Sequence, residues 1–139
     1  VRFWDASAIV PLCLAQPLTA ESRTMLAKDR EMVVWWGSSI ECASAIARLH
    51  RDLRLTDQEE RSATETLAAL RRSWFEVQPG DVIREQALRL LRVHSLRAAD
   101  ALQLAAALEW AGAPVRGIFT CYDDRLRTAA HREGFSPPP

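Results

Sequence analysis

Carboxylates stand at four places far apart in this chain but comparable in setting. Asp5 closes the short apolar stretch Val1 to Trp4; Glu41 comes shortly after Met32 to Trp36 (MVVWW); Asp100 is early in RAADALQLAAALEW; Asp123 and Asp124 follow Val115 to Cys121. If the apolar stretches are parallel strands, the carboxyl ends of those strands open on one crevice, and that is where the acids sit. Two carboxylates about 4 Å apart repel by roughly 4 kcal/mol at an effective dielectric near 20, so a converging set either titrates upward or holds a cation. An all-oxygen donor set selects a hard ion, Mg²⁺ or Mn²⁺, over zinc. Such an ion polarises a phosphate and brings a bound water into nucleophile range, so the implied chemistry is metal-assisted phosphodiester hydrolysis.

Each acid also has a local explanation. Asp100 is the only acid among the first eleven residues of an alanine- and leucine-rich run from Arg97 to Trp110 that contains one glutamine, Gln103. Read as a helix the run is largely covered, and burying a lone carboxylate costs several kcal/mol unless it is compensated. The helix N-terminus favours a charge there by roughly 0.3 to 1 kcal/mol, and Arg97 offers a pair at i,i+3. Glu41 completes Ser38-x-x-Glu41, which has the form of a capping box, as does Thr56-x-x-Glu59 with no site attached. Asp5 is a turn former, and Asp123 or Asp124 is a helix cap. Taken singly these readings suffice; their coincidence at one sheet edge favours a metal site.

Several elements must position these groups. Strands are expected at Val1 to Trp4, Met32 to Trp36, Trp74 to Gln78 and Val115 to Cys121. Helices are expected after Ser7 as a cap, at Thr19 to Lys28, about Ile40 to Leu53, from Thr56 onward, at Val82 to Arg92, over the Asp100 run, and at about Asp124 to Glu133. Phe135 is a candidate start for a short edge strand. Strand and helix alternate, which predicts crossovers and an α/β fold with a mostly parallel sheet of four to five strands covered on both faces.

The 139 residues suit one domain, read as 1–136, with a proline tail at 137–139. Hydrophobic residues make up 48% and the formal charge is zero, which fits a globular chain and gives no overall basic signal for nucleic acid. No apolar run suits a membrane span or a signal peptide, so a cytoplasmic location is expected. Cys13, Cys42 and Cys121 are widely spaced and read as buried thiols. His50, His94 and His131 show no metal-ligand spacing. Lys28 is the only lysine, and the arginine bias is read as base composition; Arg48, Arg51 and Arg54 nevertheless cluster at one helix end.

The segments FWDASAIV, SSIECASAIARLHRDLRL, LRAADALQLAAALE and IFTCYDDRL, in that order across nearly the whole chain, resemble the PIN-domain family, and within it the VapC-type toxins of toxin–antitoxin pairs. The resemblance implies a PIN-like three-layer α/β/α sandwich and an endoribonuclease that uses Mg²⁺ or Mn²⁺. It places Asp5, Glu41, Asp100 and Asp123 on the four acidic positions: Asp5 and Asp100 as principal metal ligands, Glu41 orienting the attacking water, Asp123 completing the set. Ser7 matches a small hydroxyl residue supporting the first acid. The family often has threonine or serine two residues before the last acid; here Cys121 stands there, Thr120 precedes it and strand alternation turns it to the other face, and Asp124 is an alternative ligand. The resemblance further implies cleavage to a 5′-phosphate and a 3′-hydroxyl, a homodimer, and a small antitoxin filling a groove, with Arg48, Arg51 and Arg54 as candidate RNA contacts. Trp35, Trp36, Trp74 and Trp110 are read mainly as core and secondarily as contact surface. Two alternatives stand beside the toxin: an RNA-processing nuclease without antitoxin, and a degenerate module that binds a partner or RNA without cutting.

Overall fold

The computed structural model describes residues 1–136, and the expected tail Pro137 to Pro139 lies outside the described residues. Four strands, β1 (Arg2–Trp4), β2 (Met32–Trp35), β3 (Phe75–Val77) and β4 (Phe119–Thr120), form a parallel sheet in the order β3-β2-β1-β4. Phe3 pairs with both Val33 and Phe119, so β1 is central. The chain moves outward from β1 to β2 and β3, then returns to the far side of β1 for β4. The direction of winding therefore reverses between β1 and β4, and at such a switch point the connecting loops part and leave a crevice.

Side chains alternate across the strands and divide the core in two. On one face Phe3, Val33 and Trp35 pack with α5 (Asp81–Val93), α6 (Ala98–Ala111) and α7 (Asp124–Arg132). On the other, Trp4, Met32 and Val34 pack with α1 (Ala6–Cys13), α2 (Thr19–Lys28), α3 (Ser38–Arg51) and α4 (Asp57–Ser73). The result is the PIN-like α/β/α sandwich. In α6 the positions from Ala101 to Leu108 are all buried except the partly covered Leu102, so the alanines let this helix lie close on the sheet. Among the described residues no helix is long and apolar enough to cross a membrane.

Some boundaries differ from expectation for identifiable reasons. The fourth strand is only two residues long. Gly117 turns the chain at φ +113°, where a side chain would strike the Trp110 ring, and the Arg116 N–H folds back to the Ala111 carbonyl. Phe135 adds no strand: its ring packs on Phe119 with centroids 5.4 Å apart. The first helix is capped by Asp5, not Ser7. Thr56-x-x-Glu59 is a true capping box with both reciprocal bonds formed, whereas Ser38-x-x-Glu41 is not one: Ser38 is already helical and Gly37 is the N-cap.

Candidate active site

The site begins at the end of the central strand. Asp5 is 4% exposed, and its Oδ2 accepts the Ser7 N–H at 3.0 Å and faces the Cys121 thiol at 3.5 Å. Burial pushes the Asp5 carboxyl above the usual carboxylate range; bonds from Ser7 and Cys121 oppose that rise and the Asp100 charge adds to it. The Ser7 hydroxyl accepts the Tyr122 N–H at 2.9 Å, which pins the β4 exit to the start of α1. Ser7 thus supports the first acid and, through its hydroxyl, fixes the neighbouring loop.

Glu41 arrives from the opposite layer. α3 packs on the α1 face of the sheet, but its first turn reaches the carboxyl edge, where α6 approaches from the other face. There the Gln103 amide nitrogen donates to Glu41 Oε1 at 3.2 Å and to Ser38 Oγ at 3.0 Å. Gln103 and Ser38 are both fully buried. The glutamate therefore spends its side chain on a group 62 residues away and leaves its own helix end uncapped. Burial, followed by the Asp5 charge, pushes the Glu41 carboxyl up to about 7, with Asp100 adding to the rise and the Gln103 bond opposing it. Residue-by-residue reading passed over Gln103 and Ser38 as functional groups. The available signal was an amide three residues after Asp100 in a run otherwise of alanine and leucine.

Asp100 stands in the first turn of α6, partly covered. Its Oδ2 accepts the Arg97 N–H at 3.3 Å. The Arg97 side chain makes no ion pair with it among the described residues, so the expected local pairing reduces to one backbone bond. Asp100 nevertheless lies close enough for its charge to act on both Asp5 and Glu41.

The fourth corner is different. Asp123 is exposed and its Oδ1 caps α7 by accepting the Leu126 N–H at 2.9 Å. Asp124 is exposed in the first turn of the same helix. Cys121 links this corner to the centre, its sulfur lying 3.5 Å from Asp5 Oδ2 and 3.6 Å from the Asp123 carbonyl. Burial, then the Asp5 charge, pushes the Cys121 thiol up, which keeps it a neutral S–H donor. Thr120 turns the other way, its hydroxyl accepting from Arg2 at 3.5 Å, so the expected supporting contact comes from Cys121 and not from Thr120. Arg48, Arg51 and Arg54 are exposed. Arg48 and Arg51 lie about 10 and 15 Å along α3 from Glu41 at 1.5 Å per residue, with Arg54 beyond the helix end.

Asp5, Glu41 and Asp100 thus act on one another through their charges at the switch point, and none of the four candidate acids forms an ion pair with a basic side chain among the described residues. Oxygen donors under mutual repulsion, one of them buried, fit a hard divalent cation. They do not draw within 4.8 Å of one another as a set. The tight cluster among the described residues lies elsewhere: His50, Asp57 and Glu60 join α3 to α4 at the surface, where His50 Nε2 sits 2.7 Å from Asp57 and 3.5 Å from Glu60. The bond to Asp57 holds the His50 ring above its ordinary value, so this trio is accounted for as an ion pair.

No protein-family profile matches the chain. Two proteins of Mycobacterium tuberculosis do: Ribonuclease VapC45 of strain CDC 1551 / Oshkosh and Ribonuclease VapC49 of strain ATCC 25618 / H37Rv. Each is 33% identical over 148 residues, spanning 95% of this chain and 90% of the relative. With identity at this level over 95% of its length, the chain belongs to the VapC ribonuclease family.

Proposed function

We propose that this chain is a PIN-type endoribonuclease, dependent on Mg²⁺ or Mn²⁺, that serves as the toxin of a toxin–antitoxin pair. The observation that carries the reading is a buried Asp5 at the end of β1 whose charge and those of Glu41 and Asp100 act on one another, with no ion pair from a basic side chain to these acids among the described residues. Asp5 and Asp100 would be the principal ligands, and Asp123 would contribute the carboxylate oxygen its cap leaves free, with Asp124 as the nearest substitute. When bound, the cation would supply charge neutralisation at the phosphate and acidify a water. Glu41, held at this edge by Gln103, would be the group that holds that water and accepts its proton. Cys121 and Ser7 keep Asp5 aimed into the crevice. Attack in line with the leaving oxygen would give a 5′-phosphate and a 3′-hydroxyl.

The exposed Arg48, Arg51 and Arg54 are proposed to meet RNA phosphates some distance from the scissile bond. A homodimer, an antitoxin segment covering the crevice, a single domain over 1–136 and a cytoplasmic setting belong to the same reading, which the VapC relatives support. Trp36, 45% exposed, is the tryptophan best placed to meet a partner, whereas Trp35 and Trp74 are core. A second reading, a module that binds RNA without cutting it, is favoured by the exposure of Asp123, in contrast to the buried Asp5. Total cellular RNA incubated with the chain in Mg²⁺, Mn²⁺ or EDTA, beside Asp5→Asn, separates the two. Cleavage that needs the metal and Asp5 is expected; binding without cleavage in either metal would favour the second reading.

A further inference from the structure

We propose that Gln103 is a positioning residue for Glu41, a tether that holds this carboxylate at the cation site; the assignment rests on the metal-dependent reading above. Gln103 is fully buried in a helix whose other covered positions are alanine and leucine. An amide in such a place is costly unless its hydrogen bonds are made. Here its nitrogen meets both Glu41 Oε1 and the equally buried Ser38 Oγ, at 3.2 and 3.0 Å. The amide must present its nitrogen, because an ionised carboxylate only accepts. Ser38 and Glu41 lie in the first turn of α3, and Gln103 lies one turn along α6 from Asp100. Residues three apart share a helix face, so α6 carries one candidate ligand, Asp100, and the tether for another. The bond thereby fixes the spacing of Glu41 and Asp100 across the join between the two helical layers. Outer hydrogen bonds of this kind orient metal-binding carboxylates, and losing one typically costs about 10- to 100-fold in metal affinity or activity.

Gln103→Met keeps the length and removes the donor. Calorimetric titration of the metal-free chain with Mn²⁺ should show affinity reduced about tenfold or more. Cleavage of an RNA oligonucleotide should lose kcat while KM holds. In a Glu41→Gln background the same substitution should change Mn²⁺ affinity less than about twofold, since the group it acts through has gone. Wild-type Mn²⁺ affinity in Gln103→Met, or an equal loss in both backgrounds, would overturn the assignment and leave Gln103 a packing residue. A wild-type chain that neither binds Mn²⁺ nor cleaves RNA would instead remove the metal site itself, and the tether with it. If Gln103→Met does not fold, Ser38→Ala tests the same triad by freeing the other anchor of the amide: a severalfold loss of Mn²⁺ affinity supports the tether, and unchanged affinity refutes it.

Discussion

The raised carboxyl of Glu41 makes the stability of the metal-free protein depend on pH in a definite direction. An unfolded glutamate titrates near its ordinary 4.5, and the folded one is pushed up to about 7. Between these values the folded chain keeps a proton that the unfolded chain has lost, so stability falls as pH rises through that window and levels off above it. The interval is about 2.5 pH units at about 1.4 kcal/mol each, an upper bound near 3.4 kcal/mol. Because Glu41 is partly exposed, we discount this to about 2 kcal/mol. Glu41→Gln removes the penalty while its amide oxygen can still accept from Gln103; it gives up the charge favoured in the first turn of α3, about 0.5 kcal/mol. In EDTA the variant is therefore expected to match the wild type within about 0.5 kcal/mol at pH 5 and to exceed it by about 1.5 kcal/mol at pH 8. Urea denaturation at the two pH values measures the difference directly. Saturating Mn²⁺ at pH 8 should reverse the order, because a ligand that binds the folded chain stabilises it in proportion to its affinity. Parallel pH profiles for the two proteins would refute the placement of Glu41 in a repelling, desolvated carboxylate cluster.

Asp100→Asn should abolish RNA cleavage and shrink the Mn²⁺-induced rise in melting temperature, yet stay within about 1 kcal/mol of wild-type stability in EDTA, since the amide oxygen can replace the bond from Arg97; a large loss of stability there would mark Asp100 as structural. Cys121→Ser retains a donor toward Asp5 and should preserve Mn²⁺ affinity measured by calorimetry, whereas Cys121→Ala should lower it a few-fold; equal affinities would show that the thiol contributes nothing to the site. At the other end of the molecule, Glu133 joins Arg89 and the buried His94, whose Nε2 lies 2.6 Å away. Burial raises the Glu133 carboxyl, but the bonds from Arg89 and His94 outweigh it and hold it below its ordinary value. Its contribution to stability is therefore present above pH 4.5 and is lost as pH falls through the depressed folded value. Glu133→Gln should destabilise the protein by about 2 kcal/mol at pH 7 in thermal melts, with the gap narrowing in acid.

The chain order of apolar stretches and helical runs was enough to place Asp5, Glu41, Asp100 and Asp123 at strand ends and helix starts, because burial periodicity and chain alternation are local properties that dictate a parallel sheet. The same local rules could not choose between capping and chemistry. Ser38-x-x-Glu41 and Thr56-x-x-Glu59 have the same pattern, yet only the second caps its helix, because Gln103, remote in sequence, bonds both Ser38 and Glu41 in the folded chain. Asp123 shows the converse. Its position looked equivalent to the other acids, and like Asp5 it caps a helix with one oxygen, but it is exposed where Asp5 is buried, and Cys121 supplies the contact to Asp5. Which carboxylates repel, which are spent on backbone, and which helix from the opposite layer meets them depend on contacts between residues far apart along the chain. Residue types and spacing are legible along the chain, whereas packing at the β1–β4 switch point decides which carboxylates are buried together and which is left exposed.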